Sequence, residues 1–236
     1  MLYAITNQGE KILPSKGATA ICPDCNEKLI AKCGDIISWH WAHRTGTDCE
    51  LWGEHESAWH LWWKSQWPKQ FVEVPVVRNG KRHRADIRTP DGKVVELQHS
   101  FISTEEMHER ETFYGDMVWV FDENEKFNMG NMEFVERFST IHGTYYHHHW
   151  KHPRKSLLYA RKPVYIDLPE ESLPHSGDMF ILKHLNTLDP QVFDRDFQGY
   201  DYTKDYDKLP FGWGHSYSRK MFRIWYGAKT LTKEAA

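Results

Sequence analysis

No stretch of this sequence approaches the ~20 consecutive apolar residues that a membrane-spanning helix needs, so a helix crossing a bilayer is not expected. Cysteine is scarce, with 4 in 236 residues. Four thiols in a chain without an export signal point to metal or reduced cysteine and away from a disulfide framework. The opening MLYAITNQGEKILP has neither the basic start nor the apolar stretch of a secretory signal, and the cytoplasm is the expected compartment. Charge of neither sign dominates: 30 Lys+Arg against 33 Asp+Glu give a net charge of −3 and a pI near 6.6. A nucleic-acid surface on this chain must therefore be a local basic patch. There is no internal repeat and no low-complexity linker. The length suffices for one core, or one core with a small satellite.

Tryptophan and histidine are abundant instead, at 11 and 15. Tryptophan sits in cores or against partners, and histidine supplies metal ligands or proton carriers. Three zones divide the chain. Residues 1–50 hold short strand-like pieces, all the cysteines and His40-Trp41-Ala42-His43. Residues 51–122 predict the order α-β-β-β-α-β. Glu54 to Trp67 reads as a helix with Trp59, Trp63 and Trp67 on one face, ended by Pro68. Strands follow at 71–76, 83–87 and 94–98, joined by Asn79-Gly80 and Asp91-Gly92 turns. Ser103 with Glu106 forms a capping box opening a helix to about Tyr114. The run Met117-Val118-Trp119-Val120-Phe121 reads as a buried strand, parallel to a neighbour. Residues 123–236 form an aromatic- and His-rich extension of weaker pattern, with a strand expected over 163–167; His147-His148-His149 lies mid-chain, so it is no purification tag.

The chemistry gathers on the second and third strands. Strand alternation puts Glu96 and Gln98 on one face, and pairing of Asp86 near Glu96 would bring two carboxylates together beside a backbone carbonyl. Such oxygens suit magnesium or manganese, which lowers the pKa of a bound water for attack on a phosphodiester. Glu56, His60 and Lys64 share a helical face by i, i+4, i+8 spacing. Taken alone, these residues would be ordinary hairpin-edge carboxylates and a salt-bridged helix face.

A strand carboxylate, a turn and Glu-x-Lys resemble the PD-(D/E)XK nuclease signature, here Asp86…Glu96-Leu97-Gln98 with Gln in place of Lys. Lys64 would then supply the missing positive charge. Cys22-Pro23-Asp24-Cys25, His40-Trp41-Ala42-His43, Glu56-x3-His60-x3-Lys64, Arg84-Ala85-Asp86-Ile87, Glu96-Leu97-Gln98-His99-Ser100 and Arg110-x3-Tyr114, in this order, resemble CoiA-like competence proteins over about the first half of the chain. The resemblance implies an α/β, PD-(D/E)XK restriction-endonuclease-like core with a small zinc-bound N-terminal subdomain and a C-terminal extension. It implies a nuclease-like, DNA-associated protein. Mg²⁺ would be held by Asp86, Glu96 and Glu56, with Gln98 or Lys64 orienting the water or stabilising developing charge, and His60 tuning Glu56 or touching phosphate.

For zinc, Cys22-x2-Cys25 and His40-x2-His43 offer two close pairs, with Cys49 as substitute for His40 and Cys33 as a further competitor. The expected role is structural. Arg78, Lys81, Arg82 and Arg84 crowd the hairpin before Asp86 as a phosphate-binding patch. Ser100, Arg110 and Tyr114 are further candidates, the last two alternatively a simple exposed pair. A second cluster, Lys151, Arg154, Lys155, Arg161 and Lys162, reads either as phosphate-binding, with Tyr145, Tyr146 and Trp150 stacking on bases, or as solvated surface. The expected function is Mg²⁺-dependent hydrolysis of DNA. The rivals are a catalytically weak or inactive nuclease fold that binds single-stranded DNA in uptake or recombination, and a zinc-containing protein-interaction module. DNA is the expected partner, no membrane partner is expected, and there is room for a homo-oligomer or a DNA-processing protein partner.

Overall fold

The computed structural model describes residues 1–44, 49, 52, 56–140, 143–169, 173, 179–185 and 211–227. The chain divides into two compact units. The first comprises Met1–Ser100, Phe113–Asp116 and Tyr226–Ala236; the second comprises Phe101–Thr112 and Met117–Trp225.

The first unit opens with five short strands: β1 (Ala4–Ile5), β2 (Lys11–Ile12), β3 (Thr19–Ile21), β4 (Lys28–Lys32) and β5 (His40–His43). They form an antiparallel sheet in the order β2-β1-β3-β4-β5. Its core is small, made of Ala4, Ala20, Cys22, Leu29 and Trp41, with the Trp41 indole N–H donating to the Ile12 carbonyl at 3.0 Å. So few buried side chains cannot hold a sheet by hydrophobic burial alone, and this segment leans on polar anchors described below.

Helix α1 (Ala58–Ser65) follows. The expected start at Glu54 lies outside the described residues, and the cap explains why Glu56 stands ahead of the helix. The Ser57 hydroxyl accepts the His60 N–H while the His60 ring accepts the Ser57 N–H, a capping box with histidine in the glutamate's place. Trp63 and Trp67 are buried as the four-residue spacing predicts, and Trp62 is exposed. Strands β6 (Val72–Arg78), β7 (Lys81–Arg88) and β8 (Val94–Gln98) then form an antiparallel meander. Asn79 and Gly80 take φ of 51° and 73°, the two positive values that a type I′ hairpin turn requires.

The second unit carries all but the last two residues of α2 (Thr104–Tyr114), then β9 (Met117–Asp122), α3 (Asn124–Asn128), β10 (Met132–Thr140), β11 (Gly143–Trp150), β12 (Val164–Asp167), β13 (Met179–Leu185), β14 (Phe211–Tyr217) and α4 (Arg219–Trp225). Ser103 caps α2 by accepting the Glu106 N–H at 3.1 Å, as expected. The apolar strand β9 pairs parallel with β12, Val120 opposite Tyr165, and the sheet runs β10-β11-β14-β13-β12-β9. The weak pattern expected after Glu123 is thereby corrected, because β10, β11, β13 and β14 are strands. Histidine hid them: β11 reads as polar, yet His147 and His148 are buried within it. Tyr146 and Trp150 are only 1% exposed, so they are core residues and not stacking platforms for bases. Among the described residues no helix is long and apolar enough to cross a membrane.

The α1 packing makes a direct forecast. Trp63 is 0% exposed, and Trp63→Ala should lower unfolding free energy by about 3–5 kcal/mol, read from the urea midpoint at unchanged slope.

Candidate metal centre and carboxylate site

After β3 the chain turns through Cys22-Pro23-Asp24-Cys25. Asn26 adopts φ 63°, its N–H donates to the Cys22 carbonyl at 3.0 Å, and the Cys22 N–H donates to Glu27. Burial pushes the Cys22 thiol pKa up, opposed in part by the Asp24 N–H, which points at the sulfur at 3.4 Å. Cys25 Sγ lies 3.2 Å from His43 Nε2, and Cys22 Sγ lies 3.6 Å from Cys49 Sγ. The ligand atoms of Cys22, Cys25, His43 and Cys49 all fall within 4.8 Å of one another. Three thiols and an imidazole at this spacing can hold a metal such as zinc in a closed tetrahedral site.

His40 is not in this group, and Cys49 takes the place that the His40/His43 pair was expected to fill. The reason is periodicity. Both histidines lie on strand β5, where positions three apart face opposite ways; His40 Nδ1 lies 2.9 Å from the Ser38 carbonyl instead. Cys33 also falls outside the group.

The second cluster is built on the meander. Ile87 pairs with Val95 and Arg88 with Val94, so continuing that register sets Asp86 opposite Glu96. On the other side Val72 pairs with Ile87 and Val74 with Ala85, which sets Glu73 opposite Asp86. Three carboxylates thus stand in a row across adjacent strands, an arrangement that repels itself unless a cation intervenes. The Asp86 N–H donates to Glu96 Oε1 at 3.2 Å, and the Leu97 N–H donates to Asp86 Oδ2 at 3.0 Å.

The cation is Lys64. Its side chain is 2% exposed, and its Nζ lies 2.5 Å from Glu56, 3.0 Å from Asp86 and 3.2 Å from Glu73. Burial disfavours the ammonium, but Glu56, Asp86 and Glu73 outweigh that and hold its pKa well above the ordinary value. Asp86 and Glu73 are both held low: burial pushes them up, and the Lys64 charge more than reverses it. Glu56 goes the other way. Its burial, opposed only in part by Lys64, raises its pKa to about 7. Its Oε2 is buried and has no hydrogen-bond partner among the described residues.

Of the other residues singled out in the sequence, His60 is buried at the α1 cap, where Nδ1 accepts the Ser57 N–H, leaving any proton of the neutral ring on Nε2. Gln98 is buried and donates to the Ser100 carbonyl at 3.3 Å. Arg82 and Arg84 turn to the cysteine knuckle: Arg82 donates to the Pro23 and Asp24 carbonyls, and Arg84 forms an ion pair with the Asp24 carboxylate. Arg110 is ion-paired with Glu106 at 2.5 Å. Tyr114 packs against Trp52 and Phe113. Both are buried, which corrects the exposed-pair reading. In the second basic cluster Arg154 is ion-paired with Glu123, whereas Lys151, Lys155 and Arg161 are exposed.

Glu73 was missed. The only signal for it is one acid between Val72 and Val74 in an apolar strand, and burial gives that signal its meaning.

Two measurements follow. Purified protein should carry about one zinc per chain, weakened in Cys49→Ser and His43→Ala and unchanged in His40→Ala, read by metal analysis after mild chelation. In metal-free protein, Glu56 takes up a proton on folding between its ordinary 4.5 and about 7. That group therefore stabilises the fold less as pH rises through this window. The thermal midpoint of Glu56→Gln relative to wild type should climb between pH 4.5 and 7, and a flat difference would refute the raised pKa.

Residues 7–51 match the family model described as competence protein CoiA, N-terminal domain. No curated protein and no solved structure matches the chain. The matched segment contains the knuckle, the strand bearing His43, and Cys49, and over these residues the chain is similar to the N-terminal domain of competence protein CoiA.

Proposed function

We propose that this protein is a metal-dependent nuclease acting on DNA through a PD-(D/E)XK-like site on α1, β7 and β8. The observation that carries the reading is the charge imbalance: the ammonium of Lys64 meets Glu56, Glu73 and Asp86, with Glu96 alongside, and the further positive charge of Arg84 and the N-terminus acts on Glu73. The surplus negative charge can be met by a proton, as the raised pKa of Glu56 indicates, or by a divalent cation. The donor set fits Mg²⁺ or Mn²⁺, being all hard oxygen, and the partnerless Glu56 Oε2 is a carboxylate oxygen left open to it. Asp86, Glu96 and Glu56 would hold the ion. Bound there, it would supply Lewis acidity toward a phosphodiester and a water of lowered pKa.

The chain's own residues would do the rest. Asp86 is oriented by the Leu97 amide, and Glu96 by the Asp86 amide. Lys64 takes the place of the motif lysine that Gln98 leaves vacant and offers a preorganised positive charge where negative charge develops. Glu56, half-way to protonation near neutral pH, can carry a proton toward a leaving oxygen.

One observation favours a second reading: Gln98 is buried and bound to the Ser100 carbonyl, a neutral group where the signature has a charge. The protein would then bind DNA on a nuclease-type site without cutting it.

Labelled single- and double-stranded DNA, incubated with Mg²⁺, Mn²⁺ or EDTA, separates the two. Cleavage should require metal, vanish in Asp86→Ala and Glu96→Ala, and fall about 100-fold in Lys64→Met. Salt-sensitive binding without cleavage, retained in all three variants, would establish the binding protein instead.

A further inference from the structure

Glu73 is more buried than any other carboxylate in contact with Lys64, and the nuclease signature does not include it. Its carboxylate accepts the Leu2 N–H at 2.8 and 2.9 Å and the Tyr3 N–H at 2.7 Å, and it meets Lys64 Nζ at 3.2 Å. The backbone at Glu73 takes φ 49°, a left-handed value that costs a non-glycine residue about 1 kcal/mol. The strand pairs normally on both sides, through Val72 and Val74. Lys11 reaches over from β2 and donates to the carbonyls of Val72, Glu73 (3.1 Å) and Lys69 (3.2 Å). The kink is therefore held from the N-terminal sheet, and it turns the carboxylate between that sheet and Lys64.

A second link runs parallel to the first. Asp24 in the cysteine knuckle is ion-paired with Arg84, both side chains nearly buried, and the Arg84 charge acts on Glu73. Charges then alternate in sign from Asp24 to Arg84, Glu73, Lys64 and finally Glu56 with Asp86. In a buried row of this kind, displacing one member shifts the balance at the next.

We propose that Glu73 is a positioning residue through which the N-terminal sheet sets the place of Lys64, and hence the charge offered by Glu56 and Asp86. The inference rests on the carboxylate-site reading above for its consequence, but not for the geometry of the clamp. Glu73 touches no reacting atom in this scheme. Without it, Lys64 is shared between Glu56 and Asp86 alone, and the site's capacity for a divalent cation falls.

The test uses the full chain with its zinc site intact and compares wild type with Glu73→Gln and Tyr3→Pro. The second variant leaves the carboxylate in place and removes one of its two backbone donors, so it serves if the first is unstable. Acetylation of Lys64, followed by peptide mass spectrometry with exposed Lys81 as internal control, reads the clamp directly. Mn²⁺ titration, with Asp86→Ala as reference, reads the consequence. Lys64 should acetylate about tenfold faster in Glu73→Gln, and Mn²⁺ affinity should fall about tenfold. Lys64 acetylation within about twofold of wild type in both variants, with only the thermal midpoint lowered, would overturn the proposal and leave Glu73 a structural anchor. Faster acetylation in a protein that shows no Asp86-dependent Mn²⁺ binding would uphold the positioning role and sink the metal-nuclease reading instead.

Discussion

The first unit depends on one buried ammonium. Lys64 offsets part of the charge on a row of carboxylates that the antiparallel register brings together, and without it buried Glu73 and half-buried Asp86 would face each other. Removing one partner from a buried charge group costs about 3–5 kcal/mol, because the remaining charge is stranded. Replacing the whole group by apolar residues would be the cheaper way to build a core. Its presence is therefore weak evidence of a contribution to stability. The same group unites elements far apart in sequence: the Leu2 and Tyr3 amides, the α1 lysine, and carboxylates from β6 and β7.

The cysteine site and the carboxylate site are joined by polar contacts of the same kind. The N-terminal sheet has too small a core to stand by itself, and a metal held by Cys22, Cys25, His43 and Cys49 would add the missing stabilisation. The arginines that read in the sequence as phosphate ligands, Arg82 and Arg84, serve in the structure to fasten this knuckle to β7, two residues from Asp86. The basic patch expected beside the site is correspondingly reduced, with Lys81 left exposed at the hairpin.

The second unit shows how composition can mislead. Its buried ion pairs, Glu123 with Arg154 and Asp167 with Arg219, have carboxylates that are fully covered, and its strands carry histidines where a core would ordinarily carry valine or isoleucine. A reading that counts histidine as polar sees no alternation there. The tyrosine and tryptophan that looked like base-stacking surfaces fill the interior for the same reason.

By itself, the sequence determined the local features whose signals are short-ranged. These were the helix–meander–helix–strand order over 58–122, the Asn79-Gly80 turn, the Ser103 cap, the parallel apolar strand β9 and the Cys22-x2-Cys25 knuckle. Each follows from neighbours within a few residues, where periodicity and turn chemistry act. Tertiary structure alone decided which distant side chains meet. It chose Cys49 over His40, because residues three apart on a strand diverge. It turned Arg84 from a phosphate ligand into the partner of Asp24. It also drew Glu73 into the carboxylate row, because only the register of β6 on β7 and the approach of the Leu2 and Tyr3 amides give one acid in an apolar strand a cation to face.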